Sequence, residues 1–229
     1  MISDTITLES YREVAPKGAV DLLYKLAKRL EGRSILHINS TRVGGGVAEI
    51  LNRLIPLLNE LGIKADWDVI SGSPLFYKTT KSFHNGLQGQ RVSISPEMYN
   101  EFTKTNKDNA KDISFDYDVV VIHDPQPAGF IRRKRRGSKW LWRCHIDISR
   151  PDRKVWHFLK DYVARYDGAL FSLPSFAQKL SIPQYLVYPS IDPLSDKNRA
   201  LSEGEITAVL ERYSIPIDKP FILQVSRCL

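Results

Sequence analysis

Three adjacent glycines, Gly44, Gly45 and Gly46, stand between the apolar run Ile35 to Ile38 and the rhythm of Val47, Ile50, Leu51, Leu54, Leu57, Leu58 and Leu61. That order reads as a buried strand, a glycine-rich turn and an amphipathic helix beginning at the glycines. Glycines take backbone angles that other residues cannot, and no Cβ keeps a ligand from their peptide groups. The unpaired N–H groups at the helix start, with about half a positive charge from its dipole, suit an anion such as phosphate. Glu49 on the first helical turn could accept hydrogen bonds from hydroxyls. A ligand bearing both phosphate and hydroxyls, such as a sugar nucleotide, matches the set; the bland alternative is a structural turn.

Two familiar phosphate loops do not fit. The dinucleotide fingerprint asks for G-x-G-x-x-G or Ala, and counting from Gly44 its last position is Glu49, large and charged. The P-loop asks for Lys and then Ser or Thr after its last glycine, and Val47 and Ala48 stand there.

Two further polar clusters close apolar strands. Val119 to Ile122 runs into His123, Asp124, Pro125, Gln126 and Pro127, and Trp140 to Ile146 carries His145 with Asp147 just beyond. Strands alternating with helical segments imply an α/β fold, a Rossmann-like parallel sheet covered by helices. Ligands of such sheets bind outside the carboxyl ends of the strands. Gly44–Gly46, His123–Gln126 and His145–Asp147 therefore converge on one crevice if the sheet is parallel.

The positioning elements are read as follows. A helix covers Ala19 to Leu30, with Leu22, Leu23, Leu26 and Leu30 on one face. Pro56 interrupts the helix after the glycines. Gly62 ends it, and Ile63–Ile70 is a second strand. Residues 72 to 112 read as short helices and loops. Asp152 caps a helix running to Arg165. Ala169–Leu173 and Gln184–Tyr188 are strands, with a short helix at Pro174–Leu180 between them. From Ser195 the polar composition of a connector sets in, a helix covers Glu203–Tyr213, and Lys219 to Arg227 reads as the first strand of a new domain. The division expected is residues 1–195 for the first domain and 196–229 for connector and strand.

Composition bounds the class. A chain of 229 residues with 42% hydrophobic content can bury a proper core. No run approaches the roughly 18 apolar residues of a membrane span, and the start lacks the basic and apolar regions of a signal peptide. Cys144 and Cys228 give neither a disulfide framework nor zinc spacing, so no metal is expected. The expectation is a reduced, cytoplasmic protein without membrane partners. Much of the net charge of +7 sits at Arg132, Arg133, Lys134, Arg135 and Arg136. Without interleaved aromatics, this run reads as a solvated helix end before Gly137, and nucleic acid is not the expected partner.

Five stretches together resemble the retaining glycosyltransferases built from two Rossmann-like domains, the GT-B fold. They are His37-Ile38-Asn39-Ser40-Thr41 with Gly44 to Glu49, Phe83 to Gly89, His123 to Pro127, Trp142 to Asp147 and Pro189 to Pro193. Within that group they are similar to the trehalose glycosyltransferring synthases and their trehalose phosphorylase relatives, over residues 8 to 227. The resemblance implies the N-terminal, acceptor-side domain of such an enzyme, which transfers glucose from a nucleotide-diphosphate glucose (ADP-glucose or UDP-glucose) to free glucose, giving α,α-trehalose. No further cofactor is implied.

In that mapping Gly44, Gly45, Gly46 and Val47 face the donor diphosphate and the acceptor, and His145 lies beside the reacting sugar. Glu49, Asp124, Gln126 and Asp147 hold acceptor hydroxyls, and Arg227 meets the diphosphate. Family members carry most donor contacts in a second domain, so this sequence reads as an N-terminal half, inactive alone. Its expected partners are a sugar, a nucleotide sugar, and a complementary C-terminal domain or a second copy. The competing class is a non-catalytic sugar-binding or regulatory module that works with a partner domain.

Overall fold

The computed structural model describes residues 6–216 and 219–224. The chain divides into two compact units, Met1–Pro189 and Ser190–Leu229.

The first unit is built on six strands: β1 (Ser34–Asn39), β2 (Lys64–Val69), β3 (Val119–His123), β4 (Lys139–Cys144), β5 (Gly168–Phe171) and β6 (Gln184–Leu186). All neighbours are parallel and the order is β2-β1-β3-β4-β5-β6. The Rossmann-like parallel sheet read from the sequence is thus present. The chain leaves β1 toward one edge and, from β3 onward, fills the other side. The crevice between the carboxyl ends of β1 and β3 is therefore the switch point where such sheets bind ligands.

Among the described residues five α-helices belong to this unit: α1 (Ala19–Ala27), α2 (Gly46–Glu60), α3 (Pro74–Leu87), α4 (Pro96–Asn109) and α5 (Arg153–Val163). Register sets Ile38, Ile122, Trp142 and Ala169 side by side on one sheet face, with Leu36, Val120 and Trp140 one pleat away. These buried side chains form one cluster with Phe76, Phe83 and Leu87 of α3, Phe102 of α4, and Val155, Leu159 and Val163 of α5. Burying a side chain of that size contributes about 1.5–3 kcal/mol. A slip of one residue would turn this face outward, so the register is fixed. The alternate positions, His37, His123 and Arg143 among them, are thereby committed to the opposite face. There α2 packs on β1 and β2, burying Ala48 and Leu51.

Several sequence expectations are corrected. Residues 72–112 hold two 14-residue helices instead of short pieces. Each opens with Ser-Pro: Ser73 Oγ accepts from the Phe76 N–H at 3.1 Å and Ser95 Oγ from the Met98 N–H at 3.3 Å, and the proline has no N–H to leave unpaired. Pro56 does not break α2. Pro56 and Asn52, whose carbonyl loses its partner, are both exposed, so solvent can meet the freed group. Helix α1 stops at Ala27 and buries the narrow stripe of Val20 and Ala27, leaving Leu22, Leu23, Leu26 and Leu30 exposed. The expected helix at Pro174–Leu180 is only a three-residue 3-10 turn, Pro174–Phe176.

The second unit contains α6 (Glu203–Arg212), opened by a capping box in which the Ser202 and Glu205 side chains each accept from the other's backbone N–H. Residues 219–224 form no strand. Phe221, Ile222 and Leu223 are exposed, and a lone strand has nothing to bury its faces against. The remainder of that expected strand, with Arg227, lies outside the described residues.

Candidate active site

The loop after β1 is built by its own side chains. Asn39 Nδ2 donates to the Thr41 carbonyl at 2.8 Å and Thr41 Oγ1 to the Val43 carbonyl at 2.7 Å. Asn39 Oδ1 accepts from Trp67 Nε1 at 2.9 Å, tying the loop to β2. Arg42 lies over the Trp67 ring, 5.0 Å from its centroid. The chain then turns through Gly44 at φ +74° and Gly45 at φ +84°, both in the region glycine favours. A Cβ built on Gly44, Gly45 or Gly46 would meet nothing within 4 Å. The turn is thus demanded by backbone angle at two positions and is open at all three. Val47 is half-buried, and Glu49 is exposed in the first turn of α2.

At the carboxyl end of β3, Asp124 adopts φ +62°, unusual outside glycine. Three bonds hold it there. Its N–H donates to the Arg143 carbonyl at 2.8 Å, its carbonyl accepts from Trp142 Nε1 at 3.0 Å, and Oδ1 accepts from the His145 N–H at 2.8 Å. Burial pushes the Asp124 carboxyl up to about 7, against the lowering effects of the His145 N–H and the Arg143 charge. Gln126 is anchored through its carbonyl, which accepts from Asn106 Nδ2 at 3.1 Å; its own Oε1 is buried without a partner. Beyond β4, Asp147 is exposed, its Oδ1 accepting from the Ser149 N–H at 2.8 Å.

Three imidazoles run across the middle of the sheet. His37 Nδ1 lies 2.9 Å from His123 Nε2, and His123 Nδ1 lies 2.9 Å from His145 Nε2. Register explains the row. His37 stands opposite Val121, so His123 is one strand over and two residues on; His123 stands opposite Arg143, so His145 repeats the step. Steps of two keep all three on one face. Burial first, and the Arg143 charge second, lower His37 and His145 to about 4. Burial, the flanking histidines and Arg143 hold His123 well below its ordinary value. At neutral pH the row is uncharged.

Of the sequence candidates, Gly44–Val47 and Glu49 follow β1, Asp124 and Gln126 follow β3, and His145 and Asp147 follow β4. All stand at the same edge of three adjacent strands. His37, His123 and Arg143 belong to the same constellation and were not singled out as site residues. Only the strand register brings them together, because it fixes which positions of β1, β3 and β4 share a face. The basic run behaves as a partly tied surface: Arg132 lies 5.2 Å from the Tyr162 ring centroid and Lys134 pairs with Asp167 at 2.8 Å. A cavity of about 350 Å³ beside it, lined by Lys107, Lys111, Arg132, Arg133 and Tyr162 among others, contains none of the candidate residues. Among the described residues no group of three His, Cys, Asp or Glu is arranged to hold a metal, and no helix is long and apolar enough to cross a membrane.

Residues 37–178 match a protein-family model described as trehalose synthase, N-terminal domain. The trehalose synthase of Pyrococcus horikoshii is 46% identical over 226 residues, covering 96% of this chain and 54% of its own length. The trehalose synthase of Rubrobacter xylanophilus is 38% identical over 228 residues, covering 96% and 55%. A trehalose phosphorylase of Grifola frondosa is 28% identical over 184 residues, covering 70% and 25%. The chain spans about half the length of the synthases it matches.

Proposed function

The chain belongs to the trehalose synthase N-terminal domain family, and from that premise we propose that it is the acceptor-side half of a retaining glycosyltransferase. The reaction joins glucose from a nucleotide-diphosphate glucose to the anomeric hydroxyl of free glucose. The anomeric C1–O bond to the diphosphate breaks and its electron pair leaves with the diphosphate. The acceptor oxygen bonds to C1, and its proton passes to the departing phosphate oxygen.

The observation that carries this reading is the alignment of three dissimilar loops along one sheet edge at the switch point. An open glycine turn with a helix start supplies N–H groups for phosphate. The segments after β3 and β4 supply carboxylate, amide and imidazole groups, which bind hydroxyls directionally. Asp124 carries a carboxyl raised by burial, and His145 is uncharged at neutral pH. Both can meet neutral hydroxyls.

Titration of glucose into the ¹⁵N-labelled chain tests the acceptor half of the proposal. Amide shifts concentrated at Gly45, Asp124 and His145 are expected; shifts confined to other faces, or none at millimolar glucose, would overturn it. Turnover of ADP-glucose or UDP-glucose with glucose, in the chain supplemented by the remaining half of a family synthase, separates an enzyme half from a purely sugar-binding module.

A further inference from the structure

A neutral imidazole carries one N–H, so a row of three linked through both nitrogens of the middle ring can run in only two ways. In one, His145 Nε2–H donates to His123, His123 Nε2–H donates to His37, and the His37 proton is left on Nε2. In the other, His37 Nδ1–H donates to His123, His123 Nδ1–H donates to His145 Nε2, and the His145 proton is left on Nδ1. The two are distinguished by the end of the row. His37 Nε2 is buried and has no partner. A buried N–H without an acceptor is rarer and costlier than a bare lone pair.

We infer that the row runs from His37 through His123 to His145, so that His123 fixes the tautomer of His145 and leaves the His145 ring proton on Nδ1, the nitrogen outside the row. Two further observations establish that the row is linked and held, in either direction, while the His37 end sets which way it runs. Both links are 2.9 Å, close to the ideal hydrogen-bond length. The His145 backbone is separately held, its N–H bonded to Asp124 Oδ1, so ring and main chain are fixed by different partners. Which nitrogen of a histidine carries the proton is set by the bond the other nitrogen makes, and here that bond comes from a buried neighbour on the next strand.

The consequence for chemistry rests on the glycosyltransferase reading; the direction of the row does not. An imidazole that faces a substrate through Nδ1–H donates a hydrogen bond to a sugar oxygen and cannot take a proton there. His145 is then a donor to developing or resident oxygen lone pairs, with no role as general base. His123 is a positioning residue, and His37 is the donor that starts the row.

Long-range ¹H–¹⁵N correlation spectra of the 229-residue chain at neutral pH read the tautomers without any substrate. The expected spectrum has His145 protonated at Nδ1. A His145 protonated at Nε2 overturns the inference outright, whatever glucose titration shows. In His123→Phe the donor is gone, and His145 is expected to shift to the Nε2–H form that free histidine favours. In His123→Asn the amide N–H can occupy the place of Nδ1, and the Nδ1–H form of His145 is expected to return. An unchanged His145 tautomer in His123→Phe would equally overturn it. Should His123→Phe fail to fold, the wild-type spectrum decides alone. Glucose shifts at Gly45 and Asp124 with the wrong tautomer would sink the row and spare the sugar site; the right tautomer with no glucose response would do the reverse.

Discussion

Asp124 Oδ1 accepts the backbone N–H of His145 across a 2.8 Å gap, and the residue making that bond sits in a left-handed conformation at φ +62°. The carboxylate thus latches the segment after β4 to the end of β3, and backbone strain is stored where the two loops meet. Nearby, Arg143 gives its carbonyl to the Asp124 N–H. The same few atoms hold β3, β4 and the His145 main chain in one arrangement.

Substitution at this latch should separate its two components. Asp124→Asn keeps an oxygen acceptor and a side chain that tolerates the left-handed region, and it has no carboxyl to ionise in a buried place, so at pH 7 it is expected to be at least as stable as wild type. Asp124→Val loses the bond and places a β-branched side chain at positive φ, for an expected loss of about 2 to 4 kcal/mol. Urea unfolding at pH 7 measures both. Equal midpoints for the two variants would show that the latch contributes nothing.

Stability should fall on acidification between pH 6.5 and 4. His37 and His145 are lowered from 6.5 to about 4, and His123 shifts the same way. As pH drops through that window the unfolded chain takes up protons that the folded chain refuses, so stability present above 6.5 is lost. Asp124 acts oppositely: raised from 3.8 to about 7, it holds its proton when folded, and its contribution is lost as pH rises toward 7. Three histidines outweigh one carboxyl. For His37 alone the shift corresponds to roughly 3 kcal/mol. Urea midpoints at pH 7, 5.5 and 4.5 check the sign, and His37→Phe should flatten the profile; a wild-type profile that rises on acidification would contradict the uncharged row.

The glycine turn offers a cleaner contrast. Gly45 sits at φ +84°, so Gly45→Ala is strained whatever the space around it, and an expected loss of about 1 kcal/mol or more accompanies any loss of binding. Gly46 has no such constraint, and a Cβ there meets nothing within 4 Å. Gly46→Val should therefore leave the unfolding midpoint close to that of wild type while weakening nucleotide-sugar binding by crowding the start of α2. Calorimetric titration of a nucleotide sugar, in a complex with the remaining half of a family synthase, reads the second effect. Undiminished binding in Gly46→Val would return the loop to a plain turn.

How much of this was legible beforehand follows from which forces act locally. The alternation of apolar runs with helical periodicity yielded the parallel sheet, and the glycines, Asp124 and His145 were visible because they follow apolar runs directly. The two long helices in residues 72–112 were missed because their buried faces include Thr79, Thr80, Thr105 and Asn106, polar types that blur the apolar rhythm. Their Ser-Pro starts at Ser73 and Ser95 were the available cue. The leucines of α1 misled in the other direction, since an apolar stripe identifies a face without saying what, if anything, covers it. The histidine row could not be read from one chain in one dimension. His37 and His123 are 86 positions apart, and only the register of β1 against β3 brings their rings together.

His145→Ala is expected to lower turnover sharply with the fold intact. The histidine is half-buried beyond the end of β4, and its main chain stays latched through the N–H that alanine also has. A positioned polar group beside a reacting centre is commonly worth about 3 to 4 kcal/mol in the transition state, or a few hundredfold in rate. The assay is the full reaction, in this chain joined to the remaining half of a family synthase, with circular dichroism as the control for folding. Turnover within threefold of wild type would remove His145 from the chemistry and leave it a structural end to the row.

The chain by itself is expected to be inactive as a glycosyltransferase. It spans 54% of the Pyrococcus horikoshii synthase it matches, and in the proposed reading the edge described here supplies one wall of the site. Retaining transfer needs the acceptor oxygen held against the anomeric carbon with water excluded, and closing the second wall over the sugars achieves both. In that reading the glycine turn would offer N–H groups to the diphosphate, yet a departing diphosphate needs fixed positive charge as well. Each well-placed group there contributes about 3 to 4 kcal/mol, so missing two of them costs roughly four to six orders of magnitude. Incubating the purified chain with ADP-glucose or UDP-glucose and glucose, and measuring trehalose, puts this to the test. Product formed at ordinary enzyme rates with no second polypeptide present would show that one wall is enough, and that the groups neutralising the diphosphate must be sought within these 229 residues.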